Sequence, residues 1–224
     1  MPLLSEERVT SLDPVFGPMG VDAGRTIWAR PELTMREKAV LLVAADVAVP
    51  ELGLPFELHV GMGLTQAALS VEELREVLRH IAPDAGYNIT AMAFERLIEV
   101  AGELGHDTRS RGHRGGGEAR SPYPGAVLDD LRRLDDDFAA YVDAQGRELW
   151  SRPGLTARER AIATLAVDIV RGTLGAPFEA HLAVADRVGL SAHDLRVVVR
   201  IVAEYSIPRA WEALVVLSRR SPQK

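Results

Sequence analysis

Two stretches of the chain decide its architecture: WARPELTMRE at residues 28–37 and WSRPGLTARE at residues 150–159. They lie 122 residues apart. The register continues without a gap through Asp46 and Asp168, then Gly53 and Gly175, to PFELH at 55–59 and PFEAH at 177–181. Half of the 32 aligned positions from 28 to 59 are identical, which neither chance nor shared helical periodicity produces. After the histidines the match fades to a pattern, LSVEEL at 69–74 against LSAHDL at 190–195, one residue out of step. The chain therefore reads as two copies of one domain, 1–105 and 127–224. Residues 106–126 join them, rich in glycine, arginine and serine and without apolar periodicity, as expected of a flexible linker.

The local signals in both copies are helical. Thr34 and Thr156 are placed as N-caps, with Glu37 and Glu159 three residues later to complete a capping box. The segments that follow, KAVLLVAADVAV and RAIATLAVDIV, are apolar on every side, which predicts helices buried all round. Gly53 and Gly175 punctuate the next loop, and Pro55 and Pro177 suit the first turn of a second helix. Ser70 and Ser191 cap a third helix, and a fourth follows. Convincing strand alternation occurs nowhere. The predicted fold class is all-α: two tandem helical bundles related by pseudo-twofold symmetry.

Composition narrows function by exclusion. The 224 residues are 47% hydrophobic and 26% charged, a globular balance that suits two domains of about 100 residues. There is no cysteine, so disulfides, thiolate metal sites and thiol catalysis are excluded. The net charge of −6 disfavours nucleic acid and anionic membranes as partners, since both need a positive field. The N-terminus lacks a basic run followed by an apolar stretch, and the apolar run 39–50 is broken by Asp46. The expectation is a cytoplasmic protein without a membrane span.

Four residues stand out as candidate catalytic groups: Asp46, Asp168, His59 and His181. Each aspartate sits among apolar residues late in a helix, where an ionised carboxylate is costly unless paired and its pKa should move. Each histidine shares a helix face with apolar residues and occurs in the same PFExH string. A structural role fits them too: a carboxylate held by an arginine or a loop amide, and a satisfied core histidine. Glu57 and Glu179, two residues before the histidines, are candidate substrate contacts or simply favourable charges in a first helical turn. Trp28 and Trp150 could line a pocket for a planar ligand or clasp the N-terminal arm. Tyr87 and Tyr205 open the least similar part of the repeats. Arg36 and Arg158 are candidates for holding a substrate carboxylate. His80, His106, His113 and His193 show no zinc-like spacing, so no metal site is expected.

Together these residues resemble the carboxymuconolactone decarboxylase and alkylhydroperoxidase-D-like family. The resemblance rests on Trp-x-Arg-Pro-x-Leu-Thr-x-Arg-Glu, the apolar helix, the histidine helix and Leu-Ser-x-x-x-Leu. It is closest in the second copy, at RPGLTARERAIATLAV, HLAVADRVGLS and EYSIPRAWEAL. In the family's peroxidase branch, Cys-x-x-Cys ends four residues before the histidine. Here those positions hold Leu174 and Pro177, and Leu52 and Pro55. Ala39 and Ala161 stand where that branch carries a relay glutamate. What the resemblance implies is decarboxylase-type chemistry without a metal or organic cofactor, in a homo-oligomer (a trimer or a dimer of the fused chain). His181 with Asp168, and His59 with Asp46, would serve as acid or base on a small carboxylated or polyketide-like ring compound. Two rivals remain at this stage: a metal- or oxygen-dependent relative using the same histidines, and a non-catalytic oligomeric binding protein.

Overall fold

The structure is a computed structural model that describes residues 6–110, 112 and 120–220. Among the described residues there are twelve helices and no strand. The four helices expected in the first copy are α3 (Met35–Ala48), α4 (Leu54–Thr65), α5 (Val71–Ala85) and α6 (Tyr87–Glu103). Their counterparts are α9 (Ala157–Arg171), α10 (Ala176–Arg187), α11 (Ala192–Val202) and α12 (Ile207–Arg219). Four further helices carry no clear sequence signal: α1 (Glu6–Thr10), α2 (Phe16–Trp28), α7 (Gly125–Leu134) and α8 (Asp136–Ser151).

The caps explain the boundaries. Thr34, Ser70, Thr156 and Ser191 each accept a hydrogen bond from the backbone N–H three residues on. Each is answered by the carboxylate of Glu37, Glu73, Glu159 or Asp194. Such a reciprocal cap stabilises a helix start by about 1 kcal/mol. Pro55 and Pro177 fall in the first turns of α4 and α10. Gly172 closes α9 in the left-handed conformation, φ 72°, and the Thr173 N–H reaches back to the Asp168 carbonyl at 2.9 Å.

The centre of the molecule is the packing of α3 on α9, the most extensive helix pair in the fold. Twelve residues of each are buried, and both lie in one continuous apolar core. Ion pairs lock this junction reciprocally. Arg36 of α3 donates to Glu159 of α9 at 3.0 Å, and Arg158 of α9 donates to Glu37 of α3 at 2.6 Å. The same arginines also hold the third-helix caps, Arg36 to Glu73 at 3.0 Å and Arg158 to Asp194 at 3.2 Å. A second clamp is deeper. Glu76 of α5 pairs with Arg160 of α9 at 3.1 Å and with Arg152 at 3.0 Å, and both Glu76 and Arg160 are almost wholly buried.

Of the region 106–126, residue 111 and residues 113–119 lie outside the described residues. Its described edges are fastened. The Thr108 carbonyl accepts from Arg75 at 2.6 Å, Pro122 is buried, and α7 begins at Gly125. Pro122 and Tyr123 lie so close to α8 that a Cβ on Gly146 would stand 3.0 Å from each.

Candidate active site

Each copy brings its own aspartate and histidine together. His59 Nδ1 lies 2.7 Å from Asp46 Oδ2, and His181 Nδ1 lies 2.7 Å from Asp168 Oδ2. The geometry follows from the local sequence. Asp46 and Asp168 sit in the last turn or so of a buried helix, and a short glycine-containing loop returns α4 or α10 along it, so the histidine thirteen residues on faces the carboxylate. With the carboxylate on Nδ1, that nitrogen carries the proton and donates, leaving Nε2 as the acid–base position of each ring.

The electrostatics of both pairs share one pattern. Burial disfavours the ionised carboxylate and pushes Asp46 and Asp168 above the usual range, against the opposing pull of their histidines. Burial alone would lower the histidines, but the hydrogen bond and charge of the paired aspartate outweigh it, so His59 and His181 are both raised.

The other copy contributes to each pair. At the first, the buried Tyr205 hydroxyl donates to Asp46 Oδ1 at 2.7 Å, with the Leu42 carbonyl at 3.1 Å. Burial and the adjacent carboxylate hold this phenol well above its ordinary pKa, so it remains a donor. Glu204, an exposed carboxylate in the turn before α12, acts on His59 through its charge. At the second pair, Asp84 from the last turn of α5 supplies the corresponding charge to His181. It is half-buried and pushed up to about 6, chiefly by desolvation and also by Asp168. Tyr123 places its hydroxyl 3.4 Å from His181 Nε2, with ring centroids 6.0 Å apart.

The remaining candidates lie elsewhere. Arg36 and Arg158 are committed to the junction between copies. Glu57 pairs with Arg8 and, at 2.9 Å, with Arg96, and Glu179 lies 3.8 Å from Arg220. Tyr87, exposed at the start of α6, donates to Gln145 at 3.3 Å. Trp28 packs at the core edge, and its carbonyl accepts from Lys38 at 2.9 Å. Trp150 packs edge-on against His80, with centroids 5.1 Å apart. Two surface grooves are present. One, about 330 Å³, lies where Arg79 and Tyr87 face Leu149. The other, about 450 Å³, lies where Leu174 faces Trp211. Neither is lined by a paired histidine. Among the described residues, no group of three or more metal-ligating side chains is placed to hold an ion, and no helix is long and apolar enough to cross a membrane.

Asp84, Glu204, Tyr123 and His80 escape a sequence reading. The caps show why for the first two. Gly86 and Ser206 are the N-caps of α6 and α12, so the true offset here is 120 residues. Asp84 is then the counterpart of Glu204, and Ala85, not Tyr87, that of Tyr205. His80 is buried, with Nε2 3.1 Å from the Arg160 carbonyl and 3.0 Å from Thr164 Oγ1, while Nδ1 has no partner. Burial, reinforced by Arg160, drives its pKa well below 6.5. A histidine depressed in the folded state stabilises least in acid: the unfolded chain takes up the proton first as pH falls through about 6.5. His80→Gln keeps the donor to Arg160 and removes the titration. Its melting temperature is expected to fall less than that of wild type between pH 7 and 5, as calorimetry across that range would show.

The comparisons with known proteins agree with this architecture. Residues 136–218, from α8 through α12, match the model of the carboxymuconolactone decarboxylase family. The fold is similar to the crystal structure of a protein from Burkholderia xenovorans LB400, provisionally assigned as a gamma-carboxymuconolactone decarboxylase subunit. The TM-score is 0.57 at 22% identity, covering 96% of this chain and 90% of that one. Among curated proteins none matches.

Proposed function

We propose that this chain is a cofactor-independent enzyme of the carboxymuconolactone decarboxylase type. It would decarboxylate, isomerise or open a lactone on a small carboxylated or polyketide-like ring compound. The observation that carries this reading is the repeated Asp–His pair: twice, a buried carboxylate holds an imidazole in one tautomer with Nε2 directed away from it. That arrangement tunes a proton donor or acceptor, and such groups contribute about 10²–10⁴ in rate when positioned on a reacting atom. The family match of the second copy supports the reaction class. The swapped Arg36–Glu159 and Arg158–Glu37 pairs support a pseudo-twofold relation between the copies.

The test is carbon dioxide release or lactone opening by metal-stripped protein given a panel of carboxylated lactones, 4-carboxymuconolactone among them. Turnover that survives metal removal and falls in Asp46→Asn and Asp168→Asn supports the proposal. Turnover that requires added metal favours the metal-dependent reading. A second reading, a non-catalytic binding protein, draws on the absence of both histidines from the two grooves. It predicts no turnover, with planar acids still raising the melting temperature.

Assembly is part of the proposal. Ile207, Trp211 and Leu214 share one exposed face of α12, and Trp211 is 69% exposed. An apolar stripe of this kind marks an association surface. A homo-oligomer, trimer or dimer, is expected by light scattering at micromolar concentration, and Trp211→Glu should shift it toward monomer.

A further inference from the structure

The two Asp–His pairs do not present the same atom to a substrate. At the first, Tyr205 lies behind the pair, on the aspartate. Among the described residues none makes a hydrogen bond to His59 Nε2, and the His59 side chain is 14% exposed against 8% for His181. At the second, the tyrosine lies in front: Tyr123 covers His181 Nε2. Nor is Tyr123 there by accident of a loose loop. Its backbone N–H donates to Ser121 Oγ at 3.2 Å. Its ring and Pro122 press on α8 where residue 146 has no side chain.

We infer that Tyr123 is the proton-transferring group of the second site, so that this site offers a phenol where the first offers an imidazole. This rests on the acid–base reading above. While His181 is neutral, the Tyr123 hydroxyl donates to Nε2. Once His181 is protonated, Nε2–H donates to Tyr123 Oη and the phenol proton turns outward. In that state the transfer balances. The phenol O–H bond breaks as a bond to hydrogen forms on the substrate's carbanionic or enolate centre, and the Nε2 proton moves to Oη. The imidazolium is left as neutral imidazole, with no oxidant or metal required. Burial and the nearby Asp84 and Asp168 carboxylates keep the phenol protonated, so it acts as a donor and not as a phenolate nucleophile. The first site, with Nε2 open and its carboxylate fixed from behind, suits proton abstraction. Ser121 and Gly146 are positioning residues for Tyr123.

The experiment compares acylation of the two histidines by diethyl pyrocarbonate in the full chain at pH 7, read by peptide mass mapping. His59 is expected to react about tenfold faster than His181 in wild type. Tyr123→Phe should raise the His181 rate about tenfold and leave His59 unchanged. Gly146→Ala, which crowds Pro122 and Tyr123, should act in the same direction. Because His59 reports folding within the same molecule, the ratio of the two rates is the readout. Equal rates in wild type, or an unchanged ratio in both variants, overturns the assignment whatever the turnover assays show. Should the ratio move as expected while wild type turns over no substrate, the acid–base reading fails and the tyrosine cover on His181 stands.

Discussion

Glu76→Ala is expected to lower stability by about 3–5 kcal/mol, the range for removing one partner of a buried ion pair. For a chain of this size that is a drop of roughly 6–20 °C in melting temperature. Among the described residues, Glu76 is the only carboxylate paired with Arg160, which is itself fully buried. Without it the guanidinium keeps its bonds to the Arg152 and Pro153 carbonyls but loses its counter-charge. The effect should be far larger than the ion pair's net worth, because most of it is the cost of an uncompensated buried charge. Glu212→Ala gives the contrast. Its pair with Arg209 is 3.4 Å long and exposed, so the change should stay within about 0.5 kcal/mol. Equal losses in the two variants would show that the α5–α9 clamp does not hold the copies together.

The second large effect is on chemistry. His181→Ala should lower turnover by about two to four orders of magnitude in protein that remains folded. His59→Ala should do the same if both sites take part in one reaction. Asp168→Asn leaves the shape but can hold the imidazole in the other tautomer, so it should lose rate without losing the fold. A histidine of purely structural value would behave differently. Its removal would cost about 1–3 kcal/mol of stability and spare the activity of the surviving fold. Melting temperature and turnover measured on the same preparations separate these cases.

Much of the fold is legible from short-range rules. A threonine three residues before a glutamate starts α3 and α9, a serine three residues before Glu73 or Asp194 does the same for α5 and α11, and Gly–x–Pro opens α4 and α10. These signals are local, so one sequence suffices to see them. The helices α2, α7 and α8 are less visible because they lie outside the matched repeat and are amphipathic, with many exposed polar residues. The pairing of Asp46 with His59 is half legible. Sequence marks both as costly where they stand and suggests the pair, but leaves an arginine or a loop amide equally open as the carboxylate's partner. The groups across the sites are invisible for a different reason. Tyr205 and Glu204 reach the first site from the second copy, Asp84 reaches the second from the first, and Tyr123 comes from a segment that reads as linker. The slip of the repeat from 122 to 121 to 120 residues hides the equivalence of Asp84 and Glu204 and makes Tyr87 look like the counterpart of Tyr205. Arg36 and Arg158, plausible carboxylate holders by type, are taken up by the junction between the copies. Their glutamate partners also cap helices, and a cap gives no hint of a second bond.

The most direct test of the central claim, that each copy carries an imidazole tuned by a buried aspartate, is a pH titration of His59 and His181. It would follow the ring nitrogens by NMR in wild type, Asp46→Asn and Asp168→Asn. Both imidazoles should titrate above 6.5 in wild type with the proton on Nδ1. The asparagine facing each should bring that histidine below 6.5, since burial then outweighs the remaining charge of Glu204 or Asp84. Imidazoles that titrate at or below 6.5 in wild type, or that ignore the loss of their aspartates, would contradict it.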